Sequence, residues 1–535
     1  MNSTQWGAPN GNYTFTGVYS SVPPVDTPTR QAAIADVLFG FPAVFAVQTT
    51  PFEQRLRYFN TSWYLQDDWR MSPNLTINAG LRWEYFGKPY DRFDRIATFD
   101  IASGRQLLPG QDGTPRSLMN PDRNNFAPRI GFAWRARGTQ DLVVRGAYGL
   151  YFSPPIGNDF RSRGFQDPFA FQVNRPYRPA SPTAPAPEFT ADNPVAGANR
   201  LANLTRAGVD RNFRDAYVQQ WNLSIQKLVT TNTLAEVAYR GSKSTRLPTN
   251  LDYNEISPNP PQAPDFRLIF PYPTLAGVSI LESRAASHYH AFTARAERRY
   301  SNGLTVLGNY TFSKTLTDVD SSTVGVAIGA GSFGPNTIRN LKDNKGPAIF
   351  DRPHQFNLSA VYELPFFKKG PLAARLLLGG WQVAPIWTAY QGAYLTPGNF
   401  NVLYTGARPD ALRNPNLSRG QRTIDRWFDT DAIQNATPGR FGNSGKGIIQ
   451  GSGVNNWDIN FSKNFHFTER HRVQFRAEMF NAFNHAQFDD PVMQPVVRDA
   501  ADRVLNPNAG KVTSASDFGF RQTERIVQFG LKYIF

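Results

Sequence analysis

Along most of the chain, apolar and polar residues alternate with a period of two. Leu75, Ile77, Ala79, Leu81, Trp83 and Tyr85 fall on one face, and Thr76, Asn78, Gly80, Arg82 and Glu84 on the other. Trp457, Ile459, Phe461 and Phe465 oppose Asp458, Asn460, Ser462 and Asn464. Val473, Phe475, Ala477 and Met479 oppose Arg472, Gln474, Arg476 and Glu478. Successive side chains of a strand point to opposite faces, so each run reads as a strand with one apolar and one polar side. The pattern predicts strands over Leu56–Trp69, Leu75–Tyr85, Pro128–Arg135, Leu142–Phe152, Tyr217–Leu228, Thr233–Arg240 and Tyr289–Tyr300. It continues with Leu304–Ser313, His354–Leu364, Leu376–Tyr390, Asn456–Phe465, Arg472–Phe483 and Glu524–Phe535, and with a weaker strand at Asn12–Tyr19. A helical period is confined to Gln31–Phe39. Most strands are near the length that crosses a bilayer core when tilted, roughly 9–11 residues.

The links between these strands alternate in length. Short ones at 70–74, 136–141, 229–232, 301–303, 365–375 and 466–471 carry turn residues such as Ser-Pro-Asn and Ser-Asn-Gly. Long ones run over 86–127, 153–216, 241–288, 314–353, 391–455 and 484–523. An up-and-down sheet whose two ends meet different environments gives this pattern; a Greek-key sandwich or a propeller does not. The expected fold is an all-β, antiparallel up-and-down transmembrane β-barrel, with short periplasmic turns and long extracellular loops. The last strand ends the chain on an aromatic, with Val527, Phe529, Leu531, Tyr533 and Phe535 on one face.

Composition sharpens this reading. The 535 residues hold 41 Phe, 21 Tyr and 10 Trp, too many aromatics for a disordered chain. They hold no cysteine, which excludes disulfides, thiolate metal sites and a Cys nucleophile. No stretch approaches 18 apolar residues, which leaves a barrel untouched as a membrane-spanning solution. Lys and Arg exceed Asp and Glu by 15, yet no more than two basic residues are adjacent, so nucleic acid is not an expected partner. Met1-Asn2-Ser3-Thr4-Gln5-Trp6 lacks the basic and apolar regions of a signal peptide.

Seven segments resemble a known family. They are Tyr64-Leu65-Gln66-Asp67-Asp68-Trp69-Arg70, Asn125-Phe126-Ala127-Pro128-Arg129-Ile130-Gly131-Phe132-Ala133-Trp134, and Tyr217-Val218-Gln219-Gln220-Trp221-Asn222-Leu223-Ser224. The others are Ala238-Tyr239-Arg240-Gly241-Ser242-Lys243, Tyr310-Thr311-Phe312-Ser313-Lys314, Asp351-Arg352-Pro353-His354-Gln355, and Glu478-Met479-Phe480-Asn481-Ala482-Phe483-Asn484-His485. In this order, ending on Ile534-Phe535, the chain resembles the C-terminal part of an Oar-like TonB-dependent outer-membrane receptor. The resemblance implies uptake of a large solute, such as an oligosaccharide or a chelated metal, at the bacterial outer membrane. It also implies as partners outer-membrane lipid, the barrel-assembly machinery, a plug domain and the energising TonB protein. Complete members carry an N-terminal sandwich, a plug and a 22-stranded barrel. Against that plan, residues 1–55 are expected to hold a leading barrel strand and an extracellular loop with a short helix. Residues 56–535 are expected to form the C-terminal part of the barrel, about 13–14 strands. Plug and sandwich are absent, so a fragment, a split gene or a mis-called start is expected. The two outer strands are then not expected to form a packed seam. A surface adhesion or structural outer-membrane protein and a passive porin are the rival readings.

Enzyme chemistry finds no support. His288 and His290 share a face but lack carboxylates at ligand spacing, and His466 and His471 flank a turn, so neither a metal nor another cofactor is expected. Gly442-Asn443-Ser444-Gly445-Lys446-Gly447 misses the phosphate-loop spacing and reads as a mobile loop. Asp67-Asp68 and Asp489-Asp490 are adjacent, so in a strand they point apart and form no acid–base pair. The Pro- and Ala-rich stretch Asn174–Gly197 reads as an extended spacer. What stands out is the polar face. Arg82, Glu84, Arg145, Asp458, Arg472, Arg476 and Glu478 are expected to point into a lumen, because an Arg facing lipid at the midplane costs roughly 2–4 kcal/mol. There they would touch a plug, a permeating solute or only water. Ile77, Leu81, Trp83, Phe461 and Phe475 are expected to face lipid, and Asn78, Arg82, Asn460 and Gln474 inward. Trp63, Trp69, Trp83, Tyr85, Trp221, Tyr310 and Trp457 suit interfacial girdles. Phe529, Leu531, Tyr533 and Phe535 are expected to form the signal read in barrel assembly.

Overall fold

In a computed structural model of the chain, thirteen strands form one continuous antiparallel meander, each bonded to its neighbours in sequence order. They are β1 (Asn60–Ser72), β2 (Leu75–Phe86), β3 (Asn125–Arg135), β4 (Leu142–Ser153), β5 (Ala216–Thr230), β6 (Thr233–Asp252) and β7 (Leu275–Ser301). Then follow β8 (Leu304–Thr317), β9 (His354–Glu363), β10 (Trp381–Tyr390), β11 (Val454–His466), β12 (Arg472–Phe480) and β13 (Ile526–Ile534). The structure describes all residues but 1, 6–11, 16, 18, 21–29, 49–51, 137–140, 155–159, 161–167, 170–171, 177–189, 194–203, 258–269, 320–335, 368–370, 399–407, 437–439, 469, 499–503, 505 and 516–523. Much of the Pro/Ala-rich stretch therefore lies outside the described residues.

Cross-strand register carries one face around the whole meander. Trp63 of β1 stands opposite Trp83 of β2, and Leu65 opposite Leu81. Ile77 faces Phe132, and Phe132 faces Gly146. Gly146 faces Leu223, Leu223 faces Tyr239, and Tyr239 faces Phe292. The row continues through Phe312 to His354, and further along the same face Leu358 pairs Trp387 and Trp387 pairs Trp457. It closes with Ile459 against Met479 and Met479 against Val527. A slip of one residue at any pair would turn a strand inside out, so the alternation seen in sequence is what fixes the register.

Short links sit at one end of the sheet and long ones at the other. β7 and β8, for instance, are joined by Asn302-Gly303, both at positive φ as a tight hairpin requires. In an outer-membrane barrel the short end is periplasmic. At the long end, β6 and β7 extend as a ribbon of 20 and 27 residues. This corrects the expectation of a link over 241–288. Residues 241–252 contain Gly, Ser and Pro and look like a turn, but they ladder with 279–290 through register shifts around Ser244–Pro248, where Arg246 has φ 59.

Other corrections are local. The strand expected over Leu56–Trp69 is two elements. Phe52–Arg57 pairs with Asn2–Gln5 and Tyr90–Asp91 in a small separate sheet, and β1 begins only at Asn60. The leading barrel strand is not in the barrel: Asn12–Thr14 ladders with Val44–Gln48, which also pairs Gln172–Pro176. Leu376–Leu378 belong to a helix, Leu372–Leu378, ahead of β10. Its run Leu-Ala-Ala-Arg-Leu-Leu-Leu consists of strong helix formers and lacks alternation. The helix expected at Gln31–Phe39 spans Arg30–Phe39.

The apolar cores lie in the long-loop cap, not in the sheet. Ile96, Leu118, Met119, Phe160, Val209, Phe213 and Leu281 form one, and Phe99, Val278 and Ile280 another. There, Leu204–Val209 runs parallel to Leu275–Leu281. A further cluster, Ala393, Leu395, Phe428, Ile433, Ile449 and Met493, holds the loops before β11 and β13 together.

Candidate functional site

The face opposite the apolar one gathers the predicted charges. Arg82 pairs with Glu84 at 2.8 Å and also donates to Ser62 at 2.8 Å. Glu84 is buried. Arg145 donates to Gln226, whose amide donates onward to Glu236 at 2.6 Å. Asp458 accepts from Asn456 and from the Asn481 backbone N–H, at 3.0 and 2.9 Å. Glu478 accepts from Asn460 at 3.0 Å, and Arg476 donates to Gln474 at 2.8 Å. Asp458, Arg476 and Glu478 meet in one concavity of about 460 Å³, shared with Ser359, Gln382 and Asn460. Arg82 with Glu84 is a separate group, and Arg145 stands alone of the seven on β4. Arg472, beside the short 467–471 turn, pairs in register with His466 and Ile534. All seven lie on one face, as do the inward-expected Asn78, Asn460 and Gln474; Ile77, Leu81, Trp83, Phe461 and Phe475 lie on the other.

Near-neutral pairing, acid beside base beside amide, leaves a polar wall rather than a single-sign field. Such a wall can be hydrated and offers hydrogen-bond donors and acceptors to a polar molecule.

The cap contributes a second cavity of about 600 Å³. It lies between the Thr98–Leu107 hairpin, Val209–Arg211 and the β6–β7 ribbon, with Tyr253 and Glu282 in its wall. Burial and the hydrogen bond to the Glu282 carboxylate push the Tyr253 hydroxyl up to about 12. Arg284 holds the other Glu282 oxygen at 3.1 Å. Beneath the cap is a buried polar group that periodicity does not announce. Lys88 meets Asp215 at 2.5 Å, Asn125 donates to the other Asp215 oxygen at 2.9 Å, and Arg214 pairs Asp122 at 2.7 Å. Burial pushes the Asp215 carboxyl up, and Lys88 pulls it back. The three segments it joins are far apart in sequence, so only the folded chain brings them together.

The segment 442–447 is packed into the cap, which corrects its reading as a mobile loop. Lys446 donates to the Thr317 carbonyl at 3.3 Å, Asn443 N–H donates to Asp410 at 2.9 Å, and Ser444 is buried. At the opposite end, Phe529, Leu531, Tyr533 and Phe535 project from β13, all exposed, with Tyr533 and Phe535 stacked at 5.8 Å.

Aromatic pairs occur toward both ends of the sheet. Trp387 stacks on Trp457 at 5.0 Å, and Phe483 abuts Trp457 at 5.9 Å, near the long-loop end. Trp381 meets Phe475 at 6.1 Å near the short-turn end. Three histidines bond to tyrosines of neighbouring strands: His290 with Tyr239, His354 with Tyr310, and His471, in the turn before β12, with Tyr533, at 2.7, 2.8 and 2.6 Å. Reading histidines for metal spacing misses this; reading them for face and height would have found it.

A family model described as an outer membrane beta barrel domain matches residues 1–528. No curated protein matches the chain. Among solved structures, the chain is similar to the outer membrane transporter YddB from Escherichia coli, with 9% identity, 92% of this chain and 55% of that one covered, and a TM-score of 0.42. It is similar to the FrpB iron transporter from Neisseria meningitidis, with 11% identity, 98% and 50% covered, and a TM-score of 0.42. A third is the ferripyoverdine receptor of the outer membrane of Pseudomonas aeruginosa, with 10% identity, 90% and 39% covered, and a TM-score of 0.41. The chain thus spans about half the length of the first two.

Proposed function

The chain belongs to the outer membrane β-barrel family and resides in the bacterial outer membrane, and from that premise we propose that it is the C-terminal barrel portion of an Oar-like TonB-dependent receptor. In this reading the polar wall lines the path of a large solute, such as an oligosaccharide or a chelated metal. A plug domain fills the lumen, and the TonB protein energises release. Arg82, Glu84, Arg145, Asp458, Arg472, Arg476 and Glu478 face that plug or the solute.

The observation that carries the reading is the open sheet. Among the described residues, β1 bonds only to β2 and β13 only to β12. Each unpaired backbone group costs several kcal/mol in hydrocarbon, so a barrel in lipid must close. Thirteen strands in one register need further strands between β13 and β1, and the ordered resemblance to a larger receptor barrel supplies them. A stand-alone porin would instead bond β1 to β13. The cap with its own apolar cores favours one rival, an adhesive surface protein that binds partners without transport.

The test is the reading frame upstream of Met1 together with uptake. A plug-encoding frame and solute-dependent growth that is lost on dissipating the proton-motive force are expected. A frame without a plug, or growth indifferent to the energised state, sinks the transporter reading.

A further inference from the structure

The outward face is almost free of charge across the membrane band. On β7 the outward residues Ala296, Ala294 and Phe292 are neutral, and their partners Gly308, Tyr310 and Phe312 on β8 are too. Above this band the pattern changes abruptly on four neighbouring strands. Lys243 of β6 stands directly opposite His288 of β7. His290 of β7 stands directly opposite Lys314 of β8. His354, at the start of β9, is opposite Phe312. Lys243, His290, Lys314 and His354 are all exposed. Lys345, also exposed, lies near enough for its charge to reach His288, as does that of Lys243; Asp318 is the carboxylate facing the same ring. Among the described residues Lys243, Lys314 and Lys345 form no salt bridge.

Two features of this patch ask for an explanation. Direct cross-strand partners hold their Cβ atoms roughly 4.5–5.5 Å apart, so Lys243 and Lys314 flank the two histidines of β7 and leave two exposed ammonium groups on one surface, which an anion would neutralise. The patch is also local. Elsewhere on the apolar face β2, β10 and β11 present the neutral aromatics Trp83, Trp387 and Trp457.

Height fits the charge to a location. Arg298, near the short turn, and His290 are about 27 Å apart along the strand, or about 20 Å in height at the usual tilt. The patch therefore sits at the outer edge of an apolar band about 25 Å tall. Trp221, whose ring lies 6.1 Å from His290, marks the girdle there. It covers Gly241, where an added Cβ would lie 2.4 Å from the indole.

We infer that Lys243, His288, His290, Lys314 and Lys345 form a docking surface for the phosphate-bearing headgroup of an outer-leaflet lipid. Its acyl chains lie against Phe292, Phe312 and the Trp221 face below. The lysines supply point charges for the phosphate, and the imidazole N–H groups supply directed donors. A soluble anion gains nothing from the apolar surface beneath, whereas a lipid uses both.

The experiment uses the complete receptor barrel that carries this chain, taken from outer-membrane fractions and reconstituted in phosphatidylcholine vesicles. Brominated phosphatidic acid and brominated phosphatidylcholine are compared as quenchers of tryptophan fluorescence, and W221F identifies the share arising at the patch. Stronger quenching by the phosphatidic acid is expected, with selectivity falling roughly fivefold for each lysine removed in K243Q and K314Q. Unchanged selectivity in folded K243Q/K314Q overturns the inference. Should that variant not fold, equal quenching of the wild-type chain by the two lipids overturns it as well. Displacement of the phosphatidic acid by inorganic phosphate would mark a free-anion site and also overturn it.

Discussion

Tyr533 and His471 hold the last strand to the turn before it: hydroxyl and Nδ1 are 2.6 Å apart, and the rings stack at 5.8 Å with an interplanar angle of 11°. The pair joins β13, which has one strand neighbour, to the hairpin of β11 and β12. Tyr533→Phe keeps the stack and removes the hydrogen bond. It is expected to lower stability by roughly 0.5–1.5 kcal/mol, read as a lower urea midpoint of the folded band. His471→Ala removes both and costs more. Equal midpoints for the two variants would show that the stack contributes nothing.

Face assignment is the second prediction. Leu81 and Phe461 lie on the apolar face, Asn78 and Asn460 on the polar one. Leu81→Arg and Phe461→Arg are expected to cost roughly 2–4 kcal/mol each in a bilayer. Asn78→Arg and Asn460→Arg should cost far less. Single cysteines at the four positions check this independently: a lipid-soluble label should react at 81 and 461, a water-soluble one at 78 and 460. The reverse labelling would place the lumen on the wrong side of the sheet.

Strand existence and facing were legible from alternation because one face of each strand meets lipid and the other does not. β2, β4 and β11 were found within about two residues for that reason. The extension of β6 and β7 was not legible. Residues 241–252 and 275–288 rise out of the membrane, where no lipid enforces alternation, and a ladder between them overrides their Gly, Ser and Pro content. The Lys88–Asp215 pair was invisible for another reason: its partners are 127 residues apart. The polar-face charges were legible as a set, but not the gathering of Asp458, Arg476 and Glu478 into one concavity, which depends on sheet curvature.

Lys88 and Asp215 are both buried, with side-chain exposures of 2% and 0%. Removing one partner strands the other. Asp215→Asn or Lys88→Met is expected to cost roughly 3–5 kcal/mol locally. The double change Lys88→Met/Asp215→Leu should cost less than the sum. Protease cleavage in 87–124 or 204–215 reads this out, since those loops open when the pair fails. Additive effects would mean the two residues do not act as a pair.

Asp490 gives the cap a pH dependence. Burial pushes its carboxyl up to about 6 from 3.8, Arg352 offsets part of that, and Asp489 adds to it. The folded cap thus binds this proton more tightly than the unfolded chain does. Its stability from this group is greatest below pH 3.8 and falls as pH rises to about 6. Asp490→Asn should flatten that window and raise protease resistance of the cap at neutral pH. A variant with the wild-type slope between those values would remove Asp490 as the cause.

The final prediction concerns assembly. Phe535 follows β13, is 87% exposed, and among the described residues its ring contacts only the Tyr533 ring. Phe529, Leu531 and Tyr533 alternate with Gln528, Gly530 and Lys532, so one edge presents an apolar row and a free backbone ladder. Such an edge suits recognition by strand addition, in which backbone hydrogen bonds supply affinity and alternate side chains supply specificity. Deleting Phe535 removes an anchor from that row without touching the polar face or any cap loop. Barrels carrying the deletion should therefore insert poorly and be degraded in the periplasm, while those that insert keep their ligand affinity. Heat-modifiable gel mobility of outer-membrane fractions measures the folded amount. A merely structural role for Phe535 would lower the unfolding midpoint of the inserted barrel. A role in recognition would lower its yield and leave that midpoint within about 0.5 kcal/mol of the parent, as for an exposed residue with few neighbours. Equal yields with and without Phe535 would show that the terminal ring is only the end of a sheet.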